Sequence, residues 1–234
     1  MGVEGEGRIL ISEVLMLRKW ICLMMLVGVA WGEPVARGDV AIPNMYHVKE
    51  SMREYFKSGR YHAEVDSVAQ QARTYLENSL PRLRDRRLAV VLDIDETVLS
   101  NYPHIEAQDF GYIPKPWVDW VLQSEAPALR GPREFFHYAV QNNVDVVFIT
   151  GRAEPQRDAT VRNLEKEGMA SFKQLIMKPK GDPTPSGAYK AQARRQLVES
   201  GYTIVVNLGD QDSDLAGGYA ESVFKLPNPM YYVP

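Results

Sequence analysis

Cysteine is almost absent from this sequence, which excludes a fold held together by disulfides. The single cysteine, Cys22, lies within an apolar run near the N-terminus. Removal of that run would leave a chain without cysteine, so export would bring no cross-links. Lipidation of Cys22 is also disfavoured, because the residue stands near the beginning of the apolar run, whereas a lipoprotein carries its cysteine at the end.

An excess of positive charge is missing as well. The formal net charge is −3 and the pI is about 5.9, so no overall cationic field attracts nucleic acid or an anionic membrane. We therefore expect a small-molecule partner and no nucleic acid polymer. With 234 residues, 45% of them hydrophobic and 24% charged, the composition is that of one ordinary globular domain with a sizeable core.

The apolar run is too short to cross a bilayer. Residues 20–31 are twelve apolar residues preceded by Arg18 and Lys19, whereas a membrane-spanning helix needs roughly 20 residues and a signal-peptide core roughly 7 to 15. Ala30 and Gly32 supply the small-x-small pattern of a cleavage site. The sequence therefore predicts a periplasmic or secreted protein with a cleaved signal peptide and no permanent membrane anchor.

The predicted signal peptide occupies residues 1–32. Residues 1–15 contain acidic side chains where a basic leader is expected, which suggests Met16 as the true start of translation. Residues 33–43 contain proline and glycine without an apolar period and are predicted to be a flexible leader. The folded domain is then expected to occupy residues 44–234.

Within this domain, β-branched apolar runs alternate with helical patterns. Runs at residues 88–92, 144–149 and 203–208 are typical of buried parallel strands. An amphipathic helix is predicted over residues 61–80, ended by Pro81. Alternation of strands and helices predicts an α/β fold, with a three-layer, doubly wound, mostly parallel sheet and helices on both faces.

A polar cluster follows each of the three predicted strands. The clusters are DIDET at 93–97, TGR at 150–152 and GDQDSD at 209–214. Ligands of open α/β sheets bind outside the carboxyl ends of the strands, so the clusters are predicted to converge on one crevice. Asp-x-Asp and Gly-Asp pairs are also common in turns and helix caps. The convergence of all three clusters, rather than any single pair, therefore indicates a functional site.

Asp93 and Asp95 form the pair with the clearest chemical meaning. In extended backbone their spacing points both side chains the same way. One carboxylate can attack phosphorus and form an aspartyl-phosphate, while the other protonates the departing alkoxide and then activates water. Both steps concentrate negative charge, which Mg²⁺ held by oxygen ligands can balance. A carboxylate from the Asp210 cluster and a lysine, either Lys178 or Lys190, would complete the site.

Four motifs in this order resemble those of the haloacid dehalogenase-like superfamily: DIDET at 93–97, FITGR at 148–152, a downstream lysine and GDQDSD at 209–214. Within it, the chain is similar to the class B acid phosphatase family, subfamily IIIB, a group of acid phosphatases, 5′-nucleotidases and plant vegetative storage proteins. The stretches YKAQARRQL at 189–197 and FKLPNPMYYVP at 224–234 are similar to that group too. The resemblance covers roughly residues 40–234.

The resemblance implies a role for each motif residue. Asp93 would attack phosphorus, and Asp95 would act as the acid/base. Thr150 and Gly151 would hold the phosphoryl group of the substrate.

The same resemblance implies a Mg²⁺ site. Its ligands would be Asp93, the backbone carbonyl of Asp95 and the side chain of Asp210. Asp214 would lie behind these ligands or reach the metal through water.

The lysine motif has two candidates. Lys190 lies at the start of the predicted helix that leads to the strand at 203–208, where members of the superfamily place this residue. Lys178 follows a short predicted strand at 175–177. The resemblance favours Lys190, with Lys178 as the alternative.

A small cap over the active site is also implied, as an insertion at about residues 100–130. The insert is rich in aromatic residues, namely Tyr102, Phe110, Tyr112, Trp117 and Trp120. These rings could stack on a nucleobase or an aryl leaving group, or they could pack the cap itself. His104, in the same insert, could contact substrate phosphate or be an ordinary surface histidine.

The expected function is that of an exported, Mg²⁺-dependent acid phosphatase. It would hydrolyse phosphate monoesters, with nucleoside monophosphates as plausible substrates, through an aspartyl-phosphate intermediate. One alternative is a phosphotransferase that passes the same phosphoryl group to an alcohol. Another is a non-catalytic storage or binding homologue, although the chain retains Asp93.

Overall fold

A computed structural model describes residues 42–233 of the chain. The predicted signal peptide, the proposed start at Met16 and nearly all of the predicted leader lie outside the described residues. From Asn44 onward the chain is a single compact unit. Within the described residues, no helix is both long and apolar enough to span a membrane.

Helices and strands alternate along most of this unit. The helices are α1 (Met45–Lys57), α2 (Arg60–Leu83), α3 (Tyr102–Ala107), α4 (Pro114–Gln123), α5 (Arg130–Gln141), α6 (Arg157–Lys166), α7 (Ser186–Glu199) and α8 (Asp212–Leu215). The strands are β1 (Arg87–Leu92), β2 (Asp145–Ala153), β3 (Gln174–Lys178), β4 (Tyr202–Gly209) and β5 (Ser222–Lys225). A short 3₁₀ turn, Glu154–Gln156, links β2 to α6.

The five strands form one parallel sheet in the order β3-β2-β1-β4-β5. The first strand in the chain is therefore the central one, and the chain winds outward from it in both directions. This arrangement confirms the predicted doubly wound α/β fold. The three predicted strands are present, and β2 continues past its predicted end to Ala153.

Alternate residues of each strand face opposite sides of the sheet, as the two-residue period requires. On one side, Val90 and Leu92 of β1 pack in a core with residues of α2 and α5. On the other side, Ala89 and Val91 pack in a second core with Leu197 of α7. Burial on both faces explains why the strands read as continuous apolar runs.

Helix α2 corrects one expectation, since it continues through Pro81 to Leu83. Proline removes one backbone donor and usually ends or kinks a helix. Here Leu76 and Ser79 before it and Leu83 after it are all buried. Packing of this face on the core holds the last turn in helical form, which outweighs one lost hydrogen bond. The prediction that Pro81 ends the helix is therefore wrong.

The register of the sheet aligns the carboxyl ends of its central strands. Leu92 at the end of β1 lies opposite Phe148 of β2 and Leu208 of β4. Asp93 follows Leu92 directly, and Asp210 follows the last residue of β4. The sheet therefore delivers both carboxylates to one edge.

A buried arginine holds the backbone that follows β4. The side chain of Arg194, on α7, is fully buried. It donates hydrogen bonds to the carbonyl oxygens of Asp214 at 2.6 Å and Gly218 at 3.0 Å, and also to that of Ala216. These carbonyls belong to α8 and the turn after it, so Arg194 fixes the segment that carries Asp214.

Replacing Arg194 with methionine is expected to lower the free energy of unfolding by about 3 kcal/mol, because each buried carbonyl left without a donor costs about 1–3 kcal/mol. Arg195→Met is the matched control, since the neighbouring side chain is exposed and pairs with Glu199 at the surface. Its effect should stay within about 0.5 kcal/mol. Urea denaturation measures both variants, and equal losses would contradict the role given to Arg194.

Candidate active site

Asp93 lies at the first turn after β1. Its backbone N–H donates to the carbonyl oxygen of Leu208 on β4 at 3.0 Å, so the ladder between the two strands extends to this residue. Its side chain is buried, and one carboxylate oxygen lies 2.5 Å from Nζ of Lys190. The carboxylate is therefore held rigidly and faces a cation.

Asp210 and Asp214 reach the same place from the end of β4 and from α8. Both side chains are buried. Asp214 passes so close to Gly209 that a Cβ at this glycine would collide with the carboxylate side chain. The backbone N–H of Gln211 donates to Asp214 at 2.8 Å and fixes its orientation. Glycine at position 209 is what allows this close approach.

Three carboxylates form the centre of the site. Asp93, Asp210 and Asp214 each offer an oxygen atom, and these oxygens all lie within 4.8 Å of one another. Lys190 bridges two of them, with Nζ 2.5 Å from both Asp93 and Asp214. Asp214, which was expected behind the metal ligands or in contact through water, offers an oxygen to the same cluster.

Burial and mutual repulsion shape the ionisation of this cluster. Burial raises the pKa of Asp93 well above its usual value, although Lys190 counteracts it. Burial, with the nearby charge of Asp214, raises the pKa of Asp210 to about 6. Burial alone would lower the pKa of Lys190, but the attraction of Asp93 and Asp214 outweighs burial and raises it. The single ammonium group of Lys190 therefore balances only part of the negative charge of the three carboxylates.

A divalent cation fits this donor set. Hard cations such as Mg²⁺ take carboxylate oxygens as ligands, and a second source of positive charge would relieve the repulsion among the three carboxylates. The oxygens of Asp93, Asp210 and Asp214 are close enough together to share one ion. These three residues could hold the metal.

Asp95 lies beside the cluster with different partners. Arg152 binds its carboxylate in a two-pronged ion pair, with Nε 3.1 Å from each oxygen and a terminal nitrogen at 2.7 Å. The side-chain amide of Asn101 donates to the same carboxylate at 2.9 Å. Arg152 is almost fully buried, whereas Asp95 is 18% exposed and borders the pocket. Arg152 and Asn101 thus hold the carboxylate in place, and Asp95 remains accessible to a ligand in the pocket.

Thr150, Gly151 and Lys178 take different places relative to the site. Thr150 is fully buried, and its hydroxyl accepts a hydrogen bond from the backbone N–H of Arg152 at 3.1 Å. Gly151 lines the pocket. Nζ of Lys178 donates to the carbonyl oxygen of Thr184 at 2.5 Å. Of the two candidate lysines, the structure brings Lys190 to the carboxylates.

The pocket above the carboxylates has a volume of about 650 Å³, and aromatic residues form part of its wall. The insertion that was predicted to be a cap contributes His104, Phe110, Tyr112 and Trp117, and the last described residues contribute Tyr231 and Tyr232. Other aromatic residues of the insert pack inward, with Tyr102 stacked on Phe56 at 3.8 Å between ring centres. The aromatic residues of the insert are therefore divided between the wall of the pocket and the packing of the insert itself.

Sequence reasoning missed Glu96. Its side chain is fully buried and its backbone has a φ of 54°, which is unusual for a residue other than glycine. Burial raises its pKa to about 8. The hydroxyl of Tyr231 and the backbone N–H of Asn101 both donate to it at 2.5 Å. A fifth carboxyl group is thus buried close enough to Asp95 and Asp210 for their charges to raise its pKa further.

Some of these residues carried a signal that could have been used. Arg152 directly follows Thr-Gly in the second motif, and Glu96 lies within the first. The fourth motif contributes Gln211, whose side chain donates to Asp210 at 2.5 Å. No spacing rule connects Tyr231 with Glu96, because the two residues are 135 positions apart.

The family model of the haloacid dehalogenase superfamily, subfamily IIIB (acid phosphatase), matches residues 38–234. The chain belongs to this family. As a member of this acid phosphatase family, it is a phosphoric monoester hydrolase. The expectation drawn from its four motifs is confirmed.

Relatives of the chain agree with this assignment. It is 36% identical over 191 residues to the stem 28 kDa glycoprotein of Glycine max, and the matched region covers 79% of this chain and 74% of that protein. It is 35% identical over 187 residues to acid phosphatase 1 of Solanum lycopersicum, with coverage of 78% and 73%. The solved class C acid phosphatase from Bacillus anthracis has a TM-score of 0.66 and 29% identity, covering 80% of this chain and 85% of that one.

The two candidate lysines can be separated by substitution. Lys190→Met is expected to lower the rate of phosphate release about 10²- to 10³-fold, because it removes the cation that would face the charge developing on the phosphoryl group. Lys178→Met should stay close to the unmodified protein, since that side chain contacts a carbonyl outside the cluster. Turnover of an aryl phosphate and circular dichroism of both variants are the measurements. A larger loss in the Lys178 variant would reverse the assignment.

Proposed function

We propose that the protein is an exported, Mg²⁺-dependent acid phosphatase that hydrolyses phosphate monoesters through an aspartyl-phosphate on Asp93. The observation that carries this proposal is the ammonium group of Lys190 held between two buried carboxylates, at 2.5 Å from each. A carboxylate beside a cation at the base of an open pocket is arranged to attack a phosphoryl group.

The first half of the reaction takes place at Asp93. One carboxylate oxygen attacks phosphorus, and the bond from phosphorus to the ester oxygen breaks. Lys190 offers positive charge to the phosphoryl oxygens without having to move far, because its ammonium group already touches Asp93. A divalent cation held by Asp93, Asp210 and Asp214 would supply further positive charge to the same oxygens.

Asp95 transfers protons in both halves of the reaction. Asp95 borders the pocket beside Asp93, where it can give a proton to the departing ester oxygen. In the second half it takes a proton from the water that attacks phosphorus, and the bond from phosphorus to the carboxylate of Asp93 breaks, which releases phosphate. The two-pronged pair with Arg152 and the amide of Asn101 hold Asp95 at one orientation for both steps.

The pocket favours a substrate whose leaving group carries an aromatic ring. Phe110, Tyr112 and Trp117 from the cap lie on its wall together with Tyr232. Planar groups such as a nucleobase or an aryl ring pack well against aromatic side chains. Nucleoside monophosphates are therefore the proposed substrate class, with phosphate on Asp93 and base against the cap.

Export is the part of the proposal that depends on sequence alone. The basic pair Arg18–Lys19, the twelve apolar residues after it and the small residues around position 31 support a cleaved signal peptide. The mature protein would then act in the periplasm or outside the cell.

Substitution of the nucleophile tests the reaction class. Asp93→Asn is expected to lower phosphate release at least about 10⁴-fold, since a neutral amide cannot form the covalent intermediate. The purified protein is assayed with an aryl phosphate and a nucleoside monophosphate, in Mg²⁺ and in EDTA. Near-normal turnover of the variant would refute the mechanism. Absence of release by the unmodified protein would favour the storage or binding alternative.

Asp95→Asn separates the two halves of the reaction. An aryl phosphate has a good leaving group, so the variant is expected to release one equivalent of phenolate in a burst and then turn over slowly. An alkyl phosphate needs protonation of its leaving group, so its first step should fall by about 10²- to 10⁴-fold. Rapid-quench measurement of both substrates gives the comparison. Equal losses in the first step would argue against proton donation by Asp95.

A further inference from the structure

The C-terminal tail, residues 227–233, returns to the active site after β5. It starts from a fixed point, because Leu226 is buried in the core and its backbone N–H donates to the carbonyl oxygen of Gly209 at 2.9 Å. Gly209 is the residue directly before Asp210. The tail therefore begins beside one of the three carboxylates.

The far end of the tail is fixed as well. The side-chain oxygen of Gln211 accepts a hydrogen bond from the backbone N–H of Val233 at 2.9 Å. The hydroxyl of Ser213 donates to the carbonyl oxygen of Val233 at 3.0 Å. Between these anchors, the hydroxyl of Tyr231 donates to the buried carboxyl group of Glu96. Residues 227–233 are therefore held by residues of the active-site loops near both ends of the segment.

Asn228 is the tail residue that touches the carboxylate cluster. Its side-chain amide donates to Oδ2 of Asp210 at 2.8 Å. Its side-chain oxygen accepts from the backbone N–H of Met230 at 2.8 Å, in the manner of an asparagine turn. The turn holds the side chain of Asn228 with its amide directed toward Asp210.

Asp210 receives donors at both of its carboxylate oxygens. Oδ1 accepts from the hydroxyl of Thr97 at 3.1 Å, and Oδ2 accepts from Gln211 at 2.5 Å and from Asn228 at 2.8 Å. Donors on both oxygens fix the rotation of the carboxylate plane. Two of these donors come from the motif loops, and the third comes from the end of the chain.

We propose that Asn228 is a positioning residue that orients Asp210 toward the divalent cation, so that the C-terminal tail completes the metal site. This inference rests on the proposed function, which gives Asp210 to the metal. Partners that hold a ligating carboxylate commonly contribute 10- to 100-fold to metal affinity. The tail is then part of the catalytic apparatus, although it contributes no group that reacts.

A simpler role for the tail would be to cover apolar surface. In that case its removal would destabilise the fold without a specific effect on the metal. The two roles differ in one observable: an orienting residue changes Mg²⁺ affinity even when the stability of the metal-free protein is unchanged.

The experiment is calorimetric titration of the full-length protein with Mg²⁺ after removal of metal by EDTA. Asn228→Ser keeps an oxygen that can accept from Met230 but is too short to reach Asp210, and Asn228→Ala removes both contacts. Both variants are expected to bind Mg²⁺ about 10- to 100-fold more weakly. Pro229→Ala is the matched control, since Pro229 is an exposed residue of the same tail, and its affinity should be unchanged.

The outcomes separate the inference from the proposed function. Unchanged Mg²⁺ affinity in both Asn228 variants, in a protein that binds Mg²⁺ and releases phosphate, would overturn the inference alone. The inference would also be overturned if the Asn228 variants lost Mg²⁺ affinity in proportion to a loss of thermal stability in the metal-free protein. A tail that only covers apolar surface would behave in this way. An unmodified protein that binds no Mg²⁺ would overturn both.

Discussion

The burial of three carboxylates around one ammonium group is the constraint on which the rest of the site depends. Asp93, Asp210 and Asp214 would repel one another strongly in a medium of low polarity, and Lys190 compensates only part of their charge. Such an arrangement is costly unless every group is held and paired. The same unbalanced negative charge would favour the binding of a divalent cation by these carboxylates.

Several residues that take no part in the proposed reaction hold the three carboxylates in place. Gly209 leaves room for Asp214, and Arg194 holds the backbone of the segment that carries it. Thr97, Gln211 and Asn228 fix the plane of Asp210. Arg194 acts through the backbone of Asp214, whereas Thr97, Gln211 and Asn228 bond to the carboxylate oxygens of Asp210 directly. Preorganisation of this kind removes the need for the site to rearrange when charge develops.

Asp95, the proposed acid/base, is linked to the insertion at residues 100–130 through a chain of hydrogen bonds. Asn101 donates to Asp95 and accepts from the indole N–H of Trp120 at 2.8 Å, and Trp120 is stacked on His104. The insertion that lines the pocket thus also touches Asp95, the proposed acid/base. The edge of the sheet holds the carboxylates, while the insertion and the tail form much of the pocket wall.

The sequence by itself determined the fold class, the family and the edge of the sheet at which the site would lie. The apolar runs predicted the fold class, because strands buried on both faces are continuously apolar. Asp93 and Asp210 at the ends of two runs predicted the edge, because parallel strands end at one edge of the sheet, and the four motifs indicated the family. The resemblance favoured Lys190 over Lys178, but only the tertiary structure showed Lys190 in contact with the carboxylates, and only it revealed the tail. Lys190 lies within a helix, 97 residues from Asp93, so the rule that parallel strands end at one edge of the sheet does not place its side chain. Tertiary packing likewise extends α2 past Pro81 to Leu83. The contacts of a helix with the core can outweigh the helix propensities of its own residues.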